Sequence, residues 1–187
     1  MAKATTQHDR VVFLDRDGVI NDEPPEPGWA MRWEDFAFAD GALDALRRLR
    51  EAGFTVVVVS NQSCVSRGYA TVEQIQGIMD RMVAEVAAAG GAIAGVYWCP
   101  HVDADGCSCR KPKPGMLEQA ASELGLRPER AFLVGDSERD VQAGRAKGCT
   151  TFLVDLHGDG RADVTEADYV VGSLAEAVDT ILALVDG

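Results

Sequence analysis

Apolar positions along the chain follow two alternating patterns. Short unbroken apolar runs, typical of strands buried on both faces of a sheet, occur at Val11–Leu14, Phe54–Val59, Ile93–Trp98, Ala131–Val134, Thr151–Val154 and Tyr169–Val170. Between these runs, helical patterns cover Ala42–Ala52, Thr71–Ala89, Gly115–Leu124, Glu138–Lys147 and Leu174–Val185. The alternation of strand and helix predicts an α/β fold, with a parallel central sheet covered by helices in three layers.

Local signals support two of these helices. Leu43, Leu46 and Leu49 fall at helical spacing, and Gly53 follows as a stop signal. Thr71 with Gln74 matches a capping box at the start of the second helix.

Nothing in the sequence divides the chain. It contains no internal repeat, low-complexity segment or linker, so we expect residues 1–187 to form a single domain. Two long irregular stretches, Asp15–Asp40 and Cys99–Pro114, interrupt the pattern, and loops of this length are usually functional. Since ligands bind beyond the carboxyl ends of strands in such sheets, the residues that follow each strand are the candidates for function.

Charge and hydropathy narrow the classes of function. The formal net charge is −12, from 18 basic and 30 acidic residues. A surface with that charge repels nucleic acid and anionic membranes, although a local basic pocket can still bind a small anion. No apolar run approaches the roughly 18 residues of a membrane span, and Met1–Arg10 is too polar for a secretory signal. We therefore expect a soluble, cytoplasmic protein.

Two aspartates follow the first predicted strand, Asp15 and Asp17. One carboxylate can attack phosphorus as a nucleophile, and a second can transfer protons. Two carboxylates together with phosphate oxygens also suit Mg²⁺. The alternative is an ordinary turn, because Asp and Gly favour turns for local reasons.

Three further groups of polar residues are candidates for function, and each also has a purely structural interpretation. Ser60–Gln62 follows the second strand and can bind a phosphoryl oxygen or merely begin a turn. Asp136 and Asp140 follow the fourth strand, where an aspartate can also serve only as a helix cap. Arg110–Pro114 is a basic patch in an acidic chain, and the alternative is a solvated surface run. Together these groups supply a nucleophile, a proton shuttle, a positive clamp and metal ligands, which are the parts needed for phosphoryl transfer.

A second candidate metal site lies in the long loop after the third strand. Three of the five cysteines and one histidine cluster there, at Cys99, His101, Cys107 and Cys109. Three thiolates and an imidazole complete a closed tetrahedral zinc site, which is structural rather than catalytic. The alternative is a scatter of reduced cysteines near a surface histidine. Cys64 and Cys149 stand apart, and we interpret both as free thiols.

Across nearly its whole length the chain resembles the haloacid dehalogenase (HAD) superfamily of aspartate-nucleophile phosphatases, which have a Rossmann-like fold. The resemblance rests on Asp15–Val19, Ser60, Lys111 and Gly135–Asp140. It implies that Asp15 attacks phosphorus, that Asp17 protonates the leaving oxygen and then activates water, and that Ser60 and Lys111 hold the phosphoryl group. It further implies a Mg²⁺ site formed by Asp15, the backbone carbonyl of Asp17, and Asp136, with Asp140 as a supporting residue.

Within the superfamily, the cysteine-rich loop (residues 99–109) and Cys109–Met116 resemble two families. These are the D-glycero-D-manno-heptose 1,7-bisphosphate 7-phosphatases of nucleotide-activated heptose biosynthesis and the histidinol-phosphate phosphatases of histidine biosynthesis. Ser60–Gly68 favours the heptose family, whereas Glu23–Pro25 favours the histidinol family. The heptose resemblance implies substrate contacts from Asn61, Arg67 and Arg110.

The chain departs from the heptose pattern at two positions. Cys64 replaces a glycine, and Ser137 stands where many heptose enzymes have a substrate-contacting lysine. The spacings from Asp15 to Ser60 and from Ser60 to Lys111 leave no room for a large cap domain, so we expect the zinc loop to shape the pocket and to present Arg110 to a second anionic group.

Three functions therefore remain open from the sequence. The first is a magnesium-dependent sugar-bisphosphate phosphatase, and the second is a histidinol-phosphate phosphatase. The third is a non-enzymatic, zinc-stabilised binding module, against which the presence of Asp15, Asp17, Lys111 and Asp136 argues. The expected partner is a small phosphorylated metabolite, and a monomer is the default expectation.

Overall fold

The computed structural model describes residues 10–24, 26, 28–156, 158 and 165–186. The polar N-terminal segment, apart from Arg10, and Pro25 of the Glu23–Pro25 stretch lie outside the described residues, as does Gly187 at the end of the predicted domain. Within the described part, no helix is long and apolar enough to cross a membrane.

The described residues form one sheet of parallel strands in the order β3-β2-β1-β4-β5-β6. The strands are β1 (Val11–Leu14), β2 (Thr55–Asn61), β3 (Gly95–Cys99), β4 (Phe132–Gly135), β5 (Thr150–Val154) and β6 (Tyr169–Val171). The central strands β1 and β4 are buried at every position, as expected for strands covered on both faces. The predicted single three-layer α/β domain is confirmed.

Helices cover the two faces of the sheet unequally. They are α1 (Ala42–Glu51), α2 (Val72–Ala88), α3 (Gly115–Leu124), α4 (Glu138–Arg145) and α5 (Leu174–Asp186). Apolar residues of α1, α2 and α5 pack on one face around Leu14 and Val58. Residues of α3 and α4 pack on the other face around Phe13 and Leu133.

The local signals read from the sequence explain how these helices begin and end. Thr71 and Gln74 form the predicted capping box, in which each side chain accepts a hydrogen bond from the other residue's backbone N–H. On α1, Leu46 and Leu49 are buried against the sheet, whereas Leu43 lies at the edge of the core. Gly53 then adopts a positive φ of 77°, which ends the helix before β2 begins.

The second strand is longer than its apolar run. The run predicted a strand ending at Val59, but pairing with β3 continues through Ser60 and Asn61, which lies opposite Cys99. Ser60 and Asn61 are therefore part of the strand rather than of the following loop. The polarity of these residues ends the hydrophobic pattern without ending the ladder of backbone hydrogen bonds.

The strand order fixes where a ligand can bind. The chain moves outward from β1 to β2 and β3, and then crosses to the other side of β1 to form β4. Ligands bind at this kind of switch point, beyond the carboxyl ends of the strands. In the described residues of the two long loops there are two short 3-10 turns, Trp33–Asp35 and Asp103–Asp105, and no cap domain.

Candidate active site and metal centres

A cluster of three carboxylates lies at the carboxyl ends of β1 and β4. One oxygen from each of Asp15, Asp136 and Asp140 lies within 4.8 Å of the others. The register explains this proximity, since Leu14 pairs with Val134 and the residues just beyond both strands must then be neighbours. We call these three residues the carboxylate cluster.

Lys111 is the cation of this cluster. Its side chain is buried, and its Nζ lies 3.0 Å from Asp15 Oδ2 and donates a 2.8 Å hydrogen bond to the carbonyl of Val59. Nζ also donates to Asp140 Oδ1. Burial alone lowers a lysine pKa, but the negative charges of Asp140 and Asp15 outweigh that effect and raise the pKa of Lys111 above its usual range. The ammonium therefore remains charged inside the protein.

Asp15 lies between a buried carboxylate, Asp140, and a buried ammonium, Lys111. Burial and then the charge of Asp140 raise the pKa of Asp15 to about 6, although Lys111 acts in the opposite direction. Oxygen ligands from three carboxylates converge here, two of them buried and that of Asp136 half-buried. This donor set fits Mg²⁺, which prefers carboxylate oxygens and retains several waters.

Two glycines allow the aspartates to approach. A Cβ on Gly18, which has a positive φ of 73°, would lie 2.6 Å from Asp136 Oδ2. A Cβ on Gly135 would lie 2.2 Å from the Cβ of Asp140. Because both distances are too short for real atoms, any larger residue at either position would push a carboxylate out of place.

The carboxylate of Asp17 lies among hydrogen-bond donors and is not part of the carboxylate cluster. Its Oδ1 accepts from Arg16 Nε at 3.1 Å, from Arg16 Nη2 at 2.8 Å and from Asn21 Nδ2 at 3.0 Å. Its Oδ2 accepts from Arg16 Nη2 and from Gln62 Nε2, both at 2.9 Å. The structure thus separates the two predicted catalytic aspartates into different surroundings.

Ser60, Asn61 and Gln62 each hold a different part of the site. Ser60 is buried, and its hydroxyl accepts a hydrogen bond from Gln62 Nε2 at 3.0 Å. The Asn61 amide bonds the backbone of Lys111 twice, donating to its carbonyl and accepting from its N–H, both at 3.1 Å. In this arrangement Asn61 positions the lysine, and its predicted contact with substrate stays a prediction.

The two arginines predicted to contact substrate lie on neighbouring loops. Arg67 is exposed, and its guanidinium lies over the ring of Trp29, 5.6 Å from the ring centroid. Arg110 is mostly buried, and its Nε donates to Asp103 Oδ1 at 2.8 Å. Arg139 binds the same carboxylate at 3.2 Å, so Asp103 bridges two guanidinium groups.

The Cys/His cluster, which comprises Cys99, His101, Cys107 and Cys109, comes together as predicted. Five pairs of its ligand atoms lie 3.0 to 3.6 Å apart. A tetrahedron of thiolates around zinc at 2.3 Å has edges of about 3.8 Å. The four residues are therefore arranged at close to the separation that one zinc ion requires, and all five cysteines are free of disulfides.

The three thiols of the Cys/His cluster differ in their pKa, since burial raises the pKa of Cys99 and of Cys109 whereas the pKa of Cys107 is lowered. Burial raises the pKa of Cys107, but hydrogen bonds from the backbone N–H of Arg110 and from the neighbouring thiols outweigh it and lower that pKa to about 7. Lys113 donates to the carbonyls of Gly106 and Cys107 and fixes the loop from outside. Outside this cluster, burial raises the pKa of Cys149 to about 12, as expected of an inert thiol.

Sequence reasoning missed several residues of the site. Arg16 is fully buried and is the main partner of Asp17, and Asn21 and Gln62 are also fully buried beside the same carboxylate. Gln62 belongs to the Ser60–Gln62 group that was predicted to bind a phosphoryl oxygen, but nothing in the sequence showed that its amide contacts Asp17. Asp103 carried no signal of its pairing with Arg110 and Arg139.

The fold and the site together define a hydrolase of the HAD class. The HAD-hydrolase-like family model matches residues 108–177, which include Lys111 and the aspartates after β4. Curated relatives extend the likeness over almost the whole chain. The D-glycero-beta-D-manno-heptose-1,7-bisphosphate 7-phosphatase of Neisseria meningitidis serogroup A is 38% identical over 92% of this chain and 91% of the relative. The enzyme of the same name from Pasteurella multocida is 38% identical over 94% of this chain and 98% of the relative.

The chain belongs to the D-glycero-beta-D-manno-heptose-1,7-bisphosphate 7-phosphatase family. A solved structure supports this assignment, namely the D,D-heptose 1,7-bisphosphate phosphatase of B. bronchiseptica complexed with magnesium and phosphate. It is 34% identical, covers 94% of this chain and 99% of its own, and superposes with a TM-score of 0.84. The phosphatase of the same name from Burkholderia thailandensis is 30% identical and has a TM-score of 0.69. The match covers 93% of this chain and 99% of that structure's chain.

Proposed function

We propose that this protein is a magnesium-dependent phosphatase that removes the C7 phosphate of D-glycero-β-D-manno-heptose 1,7-bisphosphate in nucleotide-activated heptose biosynthesis. The observation that carries the proposal is the carboxylate cluster with its buried lysine, in a chain that is 38% identical to phosphatases of that name. The β-anomer follows the name of these relatives.

The reaction begins with Asp15 as nucleophile. Its carboxylate attacks the C7 phosphorus, the bond from phosphorus to the sugar oxygen breaks, and an aspartyl phosphate forms on Asp15. Asp17 gives its proton to the departing sugar oxygen, so the leaving group departs as an alcohol. Lys111 lies 3.0 Å from Asp15 and is the positive group that holds the phosphoryl oxygens, together with the Ser60 hydroxyl.

The second half of the reaction restores the enzyme. Asp17, now a carboxylate, accepts a proton from a water molecule that attacks the phosphorus of the aspartyl phosphate. Inorganic phosphate leaves, and both aspartates return to their starting state. Asp15, Asp136 and the backbone carbonyl of Asp17 would hold Mg²⁺, which when bound offsets the negative charge of the phosphoryl oxygens.

The Cys/His cluster is proposed to hold a structural zinc ion. Four protein ligands fill a tetrahedral shell, so no position is left open for substrate. The ion would fix residues 99–109, and Lys111 follows two residues after Cys109. Reduced thiols of this kind persist in a reducing compartment, which supports a cytoplasmic location. We retain the monomer as the proposed state, and sedimentation equilibrium would test it.

Arg110 is proposed to bind the second phosphate of the substrate. Its Nη1 group is buried and has no hydrogen-bond acceptor among the described residues. A planar guanidinium suits the paired oxygens of a phosphate. Asp103 occupies Nε and thereby orients the group.

A substrate panel tests the proposal. Released phosphate would be measured with heptose 1,7-bisphosphate (both anomers), histidinol phosphate and simple sugar monophosphates, with and without Mg²⁺. We expect the highest kcat/KM for the β-bisphosphate and no turnover without Mg²⁺. A much higher kcat/KM for histidinol phosphate would replace the heptose assignment with the histidinol-phosphate phosphatase alternative.

A further inference from the structure

Gln62 is fully buried at the end of β2, and its amide joins two parts of the active site. Nε2 donates to Asp17 Oδ2 at 2.9 Å and to Ser60 Oγ at 3.0 Å. An amide nitrogen has two N–H groups, and these two hydrogen bonds use both of them. In this orientation the amide oxygen faces the Cys64 thiol, whose Sγ lies 4.0 Å away, and not Asp17.

The five hydrogen bonds to Asp17 divide unequally between its oxygens. Oδ1 accepts three of them, from Arg16 and Asn21, whereas Oδ2 accepts two, from Arg16 and Gln62. A carboxylate oxygen has about two lone pairs, so a reacting proton must replace a hydrogen bond on either oxygen, but only one has to yield on Oδ2. Oδ2 is therefore the less occupied oxygen and the better placed for proton transfer, and Gln62 is the only neutral donor among the described residues that contacts it.

Gln62 is itself held rigidly. Its backbone N–H donates to the carbonyl of Cys99 at 2.7 Å, at the end of the neighbouring strand β3. The side chain thus extends from two paired strands and not from a free loop. A rigid support of this kind can fix a reacting group to within the tolerance that catalysis needs.

We propose that Gln62 is a positioning residue that fixes Asp17 Oδ2 next to the phosphoryl-holding Ser60, so that the proton is delivered to the leaving oxygen. The inference rests on the proposed function, because it assigns the proton transfer to Asp17. Gln62 touches neither the phosphorus nor the nucleophile in this scheme. Its effect should therefore depend on how much the leaving group needs a proton.

The test compares two leaving groups in single turnovers with enzyme in excess and Mg²⁺ present. The sugar alcohol of heptose 1,7-bisphosphate is a poor leaving group that requires protonation, whereas p-nitrophenolate leaves p-nitrophenyl phosphate as an anion. Gln62→Met keeps the size of the side chain and removes both hydrogen bonds. We expect it to slow the first turnover of the bisphosphate by about 10- to 100-fold, and to slow that of the aryl phosphate much less.

Two further variants make the result decisive. Gln62→Glu keeps the shape and places a carboxylate against Asp17, so it should lose at least as much on the bisphosphate as Gln62→Met. Gln76→Met is the matched control, because Gln76 also makes two side-chain hydrogen bonds but lies exposed on α2. It should leave both first-turnover rates unchanged.

The outcomes separate the inference from the function on which it rests. Equal losses on both substrates would show that Gln62 acts only through Ser60 or through folding, and unchanged rates would show that it does not position Asp17. Either result overturns the inference while the wild-type protein remains a phosphatase. If the wild-type protein does not hydrolyse the bisphosphate, the proposed function fails and the inference falls with it.

Discussion

The carboxylate cluster and the Cys/His cluster differ in almost every physical property. The first consists of hard oxygen ligands at the ends of β1 and β4, with Lys111 buried among them. The second consists of three sulfur atoms and an imidazole on the loop after β3, with no lysine or arginine among its ligands. One set of ligands suits Mg²⁺ with open positions, and the other suits a closed zinc site.

This difference indicates that the fold places its catalytic groups and its stabilising metal ligands in two separate sites. The carboxylate cluster owes its geometry to strand register, which is rigid without a metal. In the Cys/His cluster, Cys99 ends β3, but the other three ligands lie on a long loop that contains only a 3-10 turn, so this loop needs another source of rigidity. We therefore expect damage at the first cluster to remove turnover and damage at the second to remove stability.

The largest effect is expected from Asp15→Asn. The substitution is nearly isosteric but removes the nucleophile, so turnover of the bisphosphate should fall to background while the far-UV circular dichroism spectrum is retained. Steady-state phosphate release with Mg²⁺ present measures turnover, and the far-UV circular dichroism spectrum of the variant is compared with that of the wild-type protein. Near-normal turnover in a preparation free of contaminating phosphatase would contradict the assignment.

Asp17→Asn should have a smaller effect on the first step than Asp15→Asn. It removes general acid–base help, which is worth roughly 10²- to 10⁴-fold in rate, while the nucleophile remains. Single-turnover kinetics would measure this loss directly. A first step that is as fast as in the wild-type protein would exclude Asp17 as the proton donor.

Removal of zinc should lower the stability of the fold, whereas removal of Mg²⁺ should stop turnover. We expect one zinc ion per chain, and Cys107→Ser or a strong chelator should lower Tm by on the order of 10 °C, because structural zinc contributes folding free energy directly. Withdrawal of Mg²⁺ alone should stop turnover with little change in Tm. A purified protein that lacks zinc by elemental analysis, yet is fully stable and active, would refute the division between the two clusters.

Arg110→Ala should have the smallest effect and should depend on the substrate. Loss of one charge-assisted hydrogen bond costs on the order of 1.5–3 kcal/mol, roughly 10- to 150-fold in kcat/KM for the bisphosphate. A simple monophosphate does not use the arginine and should be hydrolysed nearly as before. Equal losses on both substrates would mean that Arg110 supports the loop and does not bind the second phosphate.

The sequence was sufficient to predict the fold and the residues at the strand ends. Unbroken apolar runs located the strands, and parallel pairing then brought together the aspartates that follow β1 and β4. The Cys/His cluster was predictable because the spacing of its ligands is short and their chemistry is specific. The resemblance to the HAD superfamily is confirmed by the comparisons, whereas the roles of the individual residues stay predictions.

The remainder of the site could not be predicted, because it depends on which way side chains point. Asn61 and Gln62 have similar amide groups on adjacent residues, yet one binds the backbone of Lys111 and the other binds Asp17. The end of β2 was wrong by two residues, because its last two positions are polar but remain paired with β3. Such features arise from contacts between segments that are distant in the chain, and a one-dimensional pattern does not encode them.

The most direct test of the central claim is to trap the phosphorylated enzyme. The protein would be mixed with heptose 1,7-bisphosphate and Mg²⁺, quenched within a single turnover, and treated with borohydride, which reduces an acyl phosphate to an alcohol. Peptide mass spectrometry is predicted to find reduction at Asp15 alone, together with a sugar product that retains its C1 phosphate. Reduction at another aspartate, or turnover without any reduced aspartate, would contradict the account.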